Sequence, residues 1–171
     1  VISGSFTNTS DDPVKIVFTI IPYGPNPTYC EGDPVIATVT VNPTPRVIPV
    51  NRQPAICNDG STEIELTTPT MMTKGGIVFD YDVTLSSADL TGNTTSLTDL
   101  GPGYTITLPY HNVGDTLHSV FYTVTPRASD GTLGCVYDSI RVPQVRVHPD
   151  PLQDFYISTP FVCEGGSDGA L

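Results

Sequence analysis

Four cysteines and three histidines are the side chains of this sequence suited to nucleophilic or soft-metal chemistry, and a scatter of aspartates could hold a hard cation. No cysteine stands in a CxxC pair, so structural zinc and thioredoxin-type exchange are not expected; disulfides are, and they imply an oxidising exterior compartment. His111, His118 and His148 fall in separate strand or linker contexts with no nucleophile or carboxylate set beside them by motif. Neither HExxH nor a glycine-rich phosphate loop is present, so the sequence predicts no enzyme. Asp11 with Asp12, Asp80 with Asp82, and Asp33 offer oxygen ligands for calcium, but none follows a spaced calcium loop; calcium is the one cofactor left open, and none is required.

The net charge of -11, from 18 acidic and 7 basic residues, argues against a nucleic-acid or anionic-membrane surface, because gripping phosphates takes clustered Lys and Arg. The acids instead keep the surface soluble and sheet edges apart. The longest apolar run, VKIVFTIIP at residues 14–22, is far short of the roughly 20 residues of a membrane helix. With no basic and apolar leader at its start, the chain reads as a piece of a longer soluble polypeptide whose targeting signals lie elsewhere.

The elements that would position these groups recur. VTVNPTP at residues 39–45 returns as VRVHPDP at 145–151, each an alternating strand that meets two prolines and passes into a stiff extended connector. Residues 6–8 align with 110–112 at an offset of 104, Cys30 with Cys135 at 105, and Cys57 with Cys163 at 106. Between them Ile16, Phe18, Ile20 and Pro22 match Val120, Tyr122, Val124 and Pro126. A period near 105 residues is a domain, not a solenoid turn. The last change of offset can be placed: Val35 and Ala37 match Ile140 and Val142 at 105, whereas Val39 and Val41 match Val145 and Val147 at 106. One residue has been inserted near Pro143 and Gln144, which predicts a β-bulge in an edge or bent strand.

Strands are predicted at 2–7, 14–22 and 35–41, then at 46–50, 62–67, 77–85, 104–110, 118–126 and 138–147, with a weaker candidate at 91–97 and one short turn at 86–90. Short strands punctuated by Gly, Pro, Asn and Asp read as a β-sandwich of immunoglobulin type, with Tyr81 plugging the space between its sheets. The array divides into residues 1–45, the closing part of a first module; 46–151, a complete second module; and 152–171, the start of a third. The proline seams are expected to set its stiffness.

These residues resemble a known family. FTNTSDDPVKIVFTIIP followed by CEGDPVIATVTVNPTP, within residues 2–45, is similar to the PKD-like repeats of large Bacteroidota surface proteins; YTVTP (122–126), Gly134-Cys135 and ICNDGSTEIELT (56–67) carry the likeness through the second copy. CEGGSDGA at 163–170 resembles the opening of the short repeats named after the gliding-motility adhesin SprB. Together the resemblances imply an all-β array of tandem PKD-like sandwiches in a long cell-surface adhesin filament, exported by type IX secretion, extracellular and associated with the outer membrane. It would serve attachment and, in gliding cells, motility. Its partners would be surfaces or polysaccharides met by the full-length protein, neighbouring repeats, and the secretion and motility machinery. The likeness further implies O-glycosylation at Thr116 in Asp115-Thr116-Leu117 and at Ser139 in Asp138-Ser139-Ile140. The sequons at Asn8 and Asn93 matter only in a host that N-glycosylates secreted chains.

The cysteines admit rival pairings. Cys57–Cys135 would staple one module internally, leaving Cys30 and Cys163 to pair outside this sequence; Cys30–Cys57 with Cys135–Cys163 would lock bodies together across the seam. Independent modules favour the first. A second functional reading, a carbohydrate- or partner-binding module, would require an exposed aromatic row such as Tyr104, Tyr110 and Phe121. A third, an accessory module of a secreted hydrolase, would need a catalytic domain in a longer reading frame.

Overall fold

The computed structural model describes residues 3–130 and 137–151, and every regular element among them is a strand. In order these are β1 (Val14–Ile20), β2 (Val35–Val41), β3 (Ile48–Asn51), β4 (Ala55–Ile56), β5 (Ile64–Thr67), β6 (Ile77–Leu85), β7 (Leu90–Gly92), β8 (Leu97–Leu100), β9 (Thr105–Ile106), β10 (Tyr110–Asn112), β11 (His118–Ala128), β12 (Ile140–Arg141) and β13 (Val145–Val147).

Strands β3 to β13 form a sandwich. Its larger sheet runs β4-β13-β11-β6-β8, with β12 also on β11, and its smaller sheet runs β3-β5-β9. Pairing of β5's leading residues with the approach to β10, through Thr62 N–H to Leu108 O at 3.0 Å and the Ser61–Pro109 bridge, continues the smaller sheet towards the β10-β7 pair. Strict alternation makes the core: β11 turns Val120, Tyr122 and Val124 inward at 0% exposure, against Phe79 and Tyr81 of β6 and Ile64, Leu66 and Ile106 of the smaller sheet. Burying each such aliphatic side chain stabilises the fold by about 1.5–3 kcal/mol. Tyr81 is buried as predicted, edge-on to Tyr122 at 6.1 Å between ring centroids.

The inserted residue near Pro143 is present. β12 pairs with β11 through Thr123↔Arg141, β13 through Val120↔Val145, so four steps along one side oppose three along the other. Val142 nonetheless stays buried and donates its N–H to Tyr122 O at 2.9 Å. The bulge falls where β12, an edge strand, gives way to β13, which β4 covers.

β1 and β2 make a separate antiparallel hairpin with no bulge, paired from Val14↔Val41 to Ile20↔Val35. Allowing for the offsets, these are the pairings His118↔Val147 and Val124↔Ile140 of the sandwich, the first direct and the second through β12. The hairpin therefore repeats the last two strands of the sandwich in register as well as in sequence.

Several expected elements need correction. The part of 2–7 that is described is not a strand; residues 3–7 run without regular pairing. Of the candidate at 91–97, residues 91 and 92 belong to β7, which pairs with β10, and Leu97 opens β8, which pairs with β6, so the chain changes sheets across 93–96 where a single strand was expected. The span 138–147 is two strands, divided by the bulge.

Candidate functional site

The histidines do not converge. His111 Nδ1 lies 2.8 Å from Asp59 Oδ1 on the surface, His118 Nε2 lies 3.6 Å from Asp89, and the backbone N–H of His148 donates to Ile56 O at 2.9 Å. Of the acidic residues suggested for calcium, Asp11 pairs with Arg46, Asp80 with Arg127 at 2.9 Å, and Asp82 accepts from the Ser96 hydroxyl. Asp33 is exposed. Among the described residues no three His, Cys, Asp or Glu side chains gather as a metal site would require. Cys30 and Cys57 are both exposed and are not joined to each other; Cys135 and Cys163 lie outside the described residues, and with them one end of the favoured Cys57–Cys135 bond and both ends of the rival Cys135–Cys163 bond. Thr116 and Ser139 are exposed, the latter sharing a hydrogen bond with Thr125 at 2.7 Å.

The aromatic row is not there. Tyr110 is 1% exposed, Phe121 lies on the outer face of the larger sheet beneath the Arg141 guanidinium at 3.9 Å, and Tyr104 stands beside β9 of the other sheet. Tyr110 has an interior task. Its hydroxyl donates to Asn93 O at 3.0 Å and so accepts from Tyr122, whose hydroxyl in turn accepts from the Thr62 hydroxyl at 3.1 Å. Burial holds the Tyr110 and Tyr122 phenols above the ordinary range. Alternation alone marks both tyrosines as inward-facing, but the partner Thr62 reads as an ordinary polar residue two places ahead of β5.

Two features of sequence spacing acquire geometry at the seams. Asn112 is buried; its Nδ2 donates to Thr116 O at 2.9 Å and Val147 O at 3.0 Å, while its Oδ1 accepts from Gly114 N at 3.1 Å. Asn8 does the same for the hairpin, donating to Asp12 O at 2.8 Å and Val41 O at 2.9 Å and accepting from Ser10 N at 3.0 Å. Each amide thus ties a turn to the end of the strand that leads into the prolines. The buried setting leaves Asn8 unsuited to carry a glycan.

The connector after β2 is held on both sides. Arg46 pairs with Asp11, Asp11 O accepts from Met71 N at 2.8 Å, and Asn42 Oδ1 accepts from the N–H and hydroxyl of Thr73 at 3.2 and 3.0 Å. Thr70 Oγ1 accepts from Arg46 N at 3.0 Å. The chain enters the sandwich beside Thr68 and Thr70, beyond the end of β5, and leaves near Asn58, whose Nδ2 donates to Asp150 at 2.8 Å, before the start of β5. The two ends of the sandwich therefore lie at opposite ends of its strands. Close to the exit, β4 runs parallel to β13, with Arg146 N donating to Pro54 O at 3.0 Å and His148 N to Ile56 O at 2.9 Å.

Comparison with known proteins places this arrangement. No curated protein matches the chain. Among solved structures it is similar to the ASH / PapD-like domain of human CEP192 (PapD-like domain 7), at 10% identity and a TM-score of 0.39 over 61% of this chain and 87% of that one. Residues 54–151 match the model of the PKD-like domain. The matched stretch runs from β4 through β13 and takes in more than half of the sequence, and on that ground the chain belongs to the PKD-like domain family.

Proposed function

We propose that this chain is a load-bearing segment of a long extracellular adhesin filament, a series of PKD-like sandwiches that holds an adhesive region away from the cell surface and serves attachment and, in gliding cells, motility. The observation that carries this reading is the placement of the ends: the chain enters at one end of the sandwich and leaves at the other, with the parallel β4–β13 pair beside the exit. Tension along the chain then shears the hydrogen bonds of that pair together instead of peeling them one by one. The repeated register of the hairpin and the repeated asparagine ties support a tandem array. Export by type IX secretion and outer-membrane association rest on the sequence resemblance. A disulfide between Cys57 and Cys135 fits the same role, and non-reducing peptide mapping that recovered Cys30 joined to Cys57 would sink that pairing.

The test has two arms. Antibodies against residues 46–151 are expected to label intact cells; labelling only after permeabilisation overturns the surface role. Under reducing conditions, pulling on the two ends of the chain is expected to give one abrupt rupture with a contour gain of roughly 300–350 Å, from the roughly 3.3–3.6 Å each residue spans when extended less the length of the folded body; with Cys57 and Cys135 joined, the stretch between them stays closed and the gain is far smaller. His148→Pro, which removes the N–H given to Ile56, should lower the rupture force. Gradual unravelling at low force would refute the load-bearing claim. With Tyr110 in the core and Phe121 under Arg141, the row of Tyr104, Tyr110 and Phe121 that the carbohydrate-binding reading required is not assembled.

A further inference from the structure

The β1–β2 hairpin exposes the face that its counterpart buries. Phe6, Ile20 and Val39 are 47%, 40% and 46% exposed, whereas the equivalent Tyr110, Val124 and Val145 are 1%, 0% and 0% exposed. With Phe18 and Ala37 they line an open apolar groove. The outer edge of β1 is also unpaired among the described residues, while the same edge of β11 takes β6 along nine residue pairs. An unpaired edge beside an apolar face is the surface on which a further strand adds, with backbone bonds supplying affinity and alternate side chains supplying fit.

We propose that the open edge of β1 receives a strand of the β6 type, contributed by the polypeptide preceding Val1, antiparallel to β1 and with its inward row opposite Ile16, Phe18 and Ile20, while a strand of the β5 type from the same polypeptide covers the apolar face as Ile64 and Leu66 do in the sandwich. In the sandwich, Leu85, Val83 and Tyr81 oppose the equivalent Val120, Tyr122 and Val124, which fixes the register. A second copy of this chain cannot supply the strand, because its β6 already lies between β11 and β8. The surface also specifies an apolar occupant. The two tyrosines whose hydroxyls meet at 3.0 Å in the sandwich are Phe6 and Phe18 here, edge-on at 6.1 Å, so no hydroxyl partner is asked of the covering residues. This inference rests on the tandem reading proposed above and adds the occupant and its pairing.

The test places a copy of residues 46–104 directly ahead of Val1 in the 171-residue chain, preserving the offset of 104. In that protein Thr84→Cys in the added copy is combined with Val17→Cys, because Phe121, the equivalent of Val17, pairs with Thr84. Peptide mapping is expected to find this cross-link in most molecules, and not the one between Val17→Cys and Asp82→Cys, two positions out of register. Amide exchange across Val14–Ile20 should slow at least tenfold relative to the original chain. In case the fused copy fails to fold, a free peptide of residues 76–86 added to the original chain should slow the same amides, and its scrambled version should not. Exposed β1 amides in both experiments, or a cross-link only at Asp82→Cys, overturns the proposal. Cell labelling by antibodies to 46–151 is unaffected by either result, so failure of this pairing and failure of the surface role remain separable.

Discussion

Deleting Pro143 tests the bulge. The deletion turns IRVPQVRV, residues 140–147, into IRVQVRV, the uninterrupted alternation that β2 has as VIATVTV. Because four steps now oppose three, removing one residue at the bulge leaves Ile140 facing Val124, Val142 beside Tyr122 and Val145 facing Val120. The contact given up is a long, exposed bond from Asn51 Nδ2 to Pro143 O at 3.4 Å, so the expected change is within about 1 kcal/mol. Deleting Arg146 is the contrast. It turns Val147 from 0% exposure to the outer face, a loss of about 1.5–3 kcal/mol, and strips its carbonyl of the Asn112 bond at a further cost of about 1–3 kcal/mol. The sum, about 4 kcal/mol, lowers Tm by roughly 20 °C for a domain near 100 residues, against a shift of no more than about 5 °C for the Pro143 deletion. Calorimetry on both variants and amide exchange along 118–124 decide the matter. If losing Pro143 costs more than about 3 kcal/mol, the bulge is a structural necessity and its reading as an absorbed insertion is wrong.

Asn112→Ala removes three bonds, one to a buried carbonyl, and should cost about 3 kcal/mol in urea unfolding; a loss below 1 kcal/mol would show the tie to be dispensable. Tyr122→Phe should cost only about 1 kcal/mol, because Thr62 keeps its bond from Leu108 N and Tyr110 keeps Asn93. Tyr81, Tyr110 and Tyr122 all have phenols raised by burial, so above about pH 10 the unfolded chain releases protons that the folded chain retains. Stability is therefore complete below that pH and falls as pH rises, by up to about 4 kcal/mol per unit if all three engage; a urea midpoint flat from pH 9 to about 11.5 would contradict this. Arg46→Ala with Asn42→Ala should broaden the distance distribution between hairpin and sandwich in solution scattering while leaving the sandwich's Tm within a few degrees, since exposed ion pairs contribute about 1 kcal/mol or less.

Long alternating segments were legible from sequence because their period carries the signal: β6 and β11 need only one inward row each, and the bulge surfaced as a phase slip between two copies of one strand. β4 was not legible, since two residues have no period, and its pairing with β13 joins positions some ninety residues apart. The strand expected at 91–97 failed for a related reason. Leu90, just ahead of it, and Leu97, at its end, serve different sheets, and a pattern along the chain does not say when the chain crosses over. At the seam the two prolines were visible, but the residues that hold the connector, Asp11, Met71 and Thr73, come from turns with no hydrophobic pattern at all.

The amides of Asn8 and Asn112 act on the last carbonyl before each connector, and so they govern direction more than strength. A chain whose heading is fixed as it departs a folded body passes that heading to the next. Bending is then confined to the few residues that follow, and angular error accumulates per joint instead of per residue. Such a filament would point, and the reach of whatever it carries would grow nearly in proportion to the number of its sandwiches.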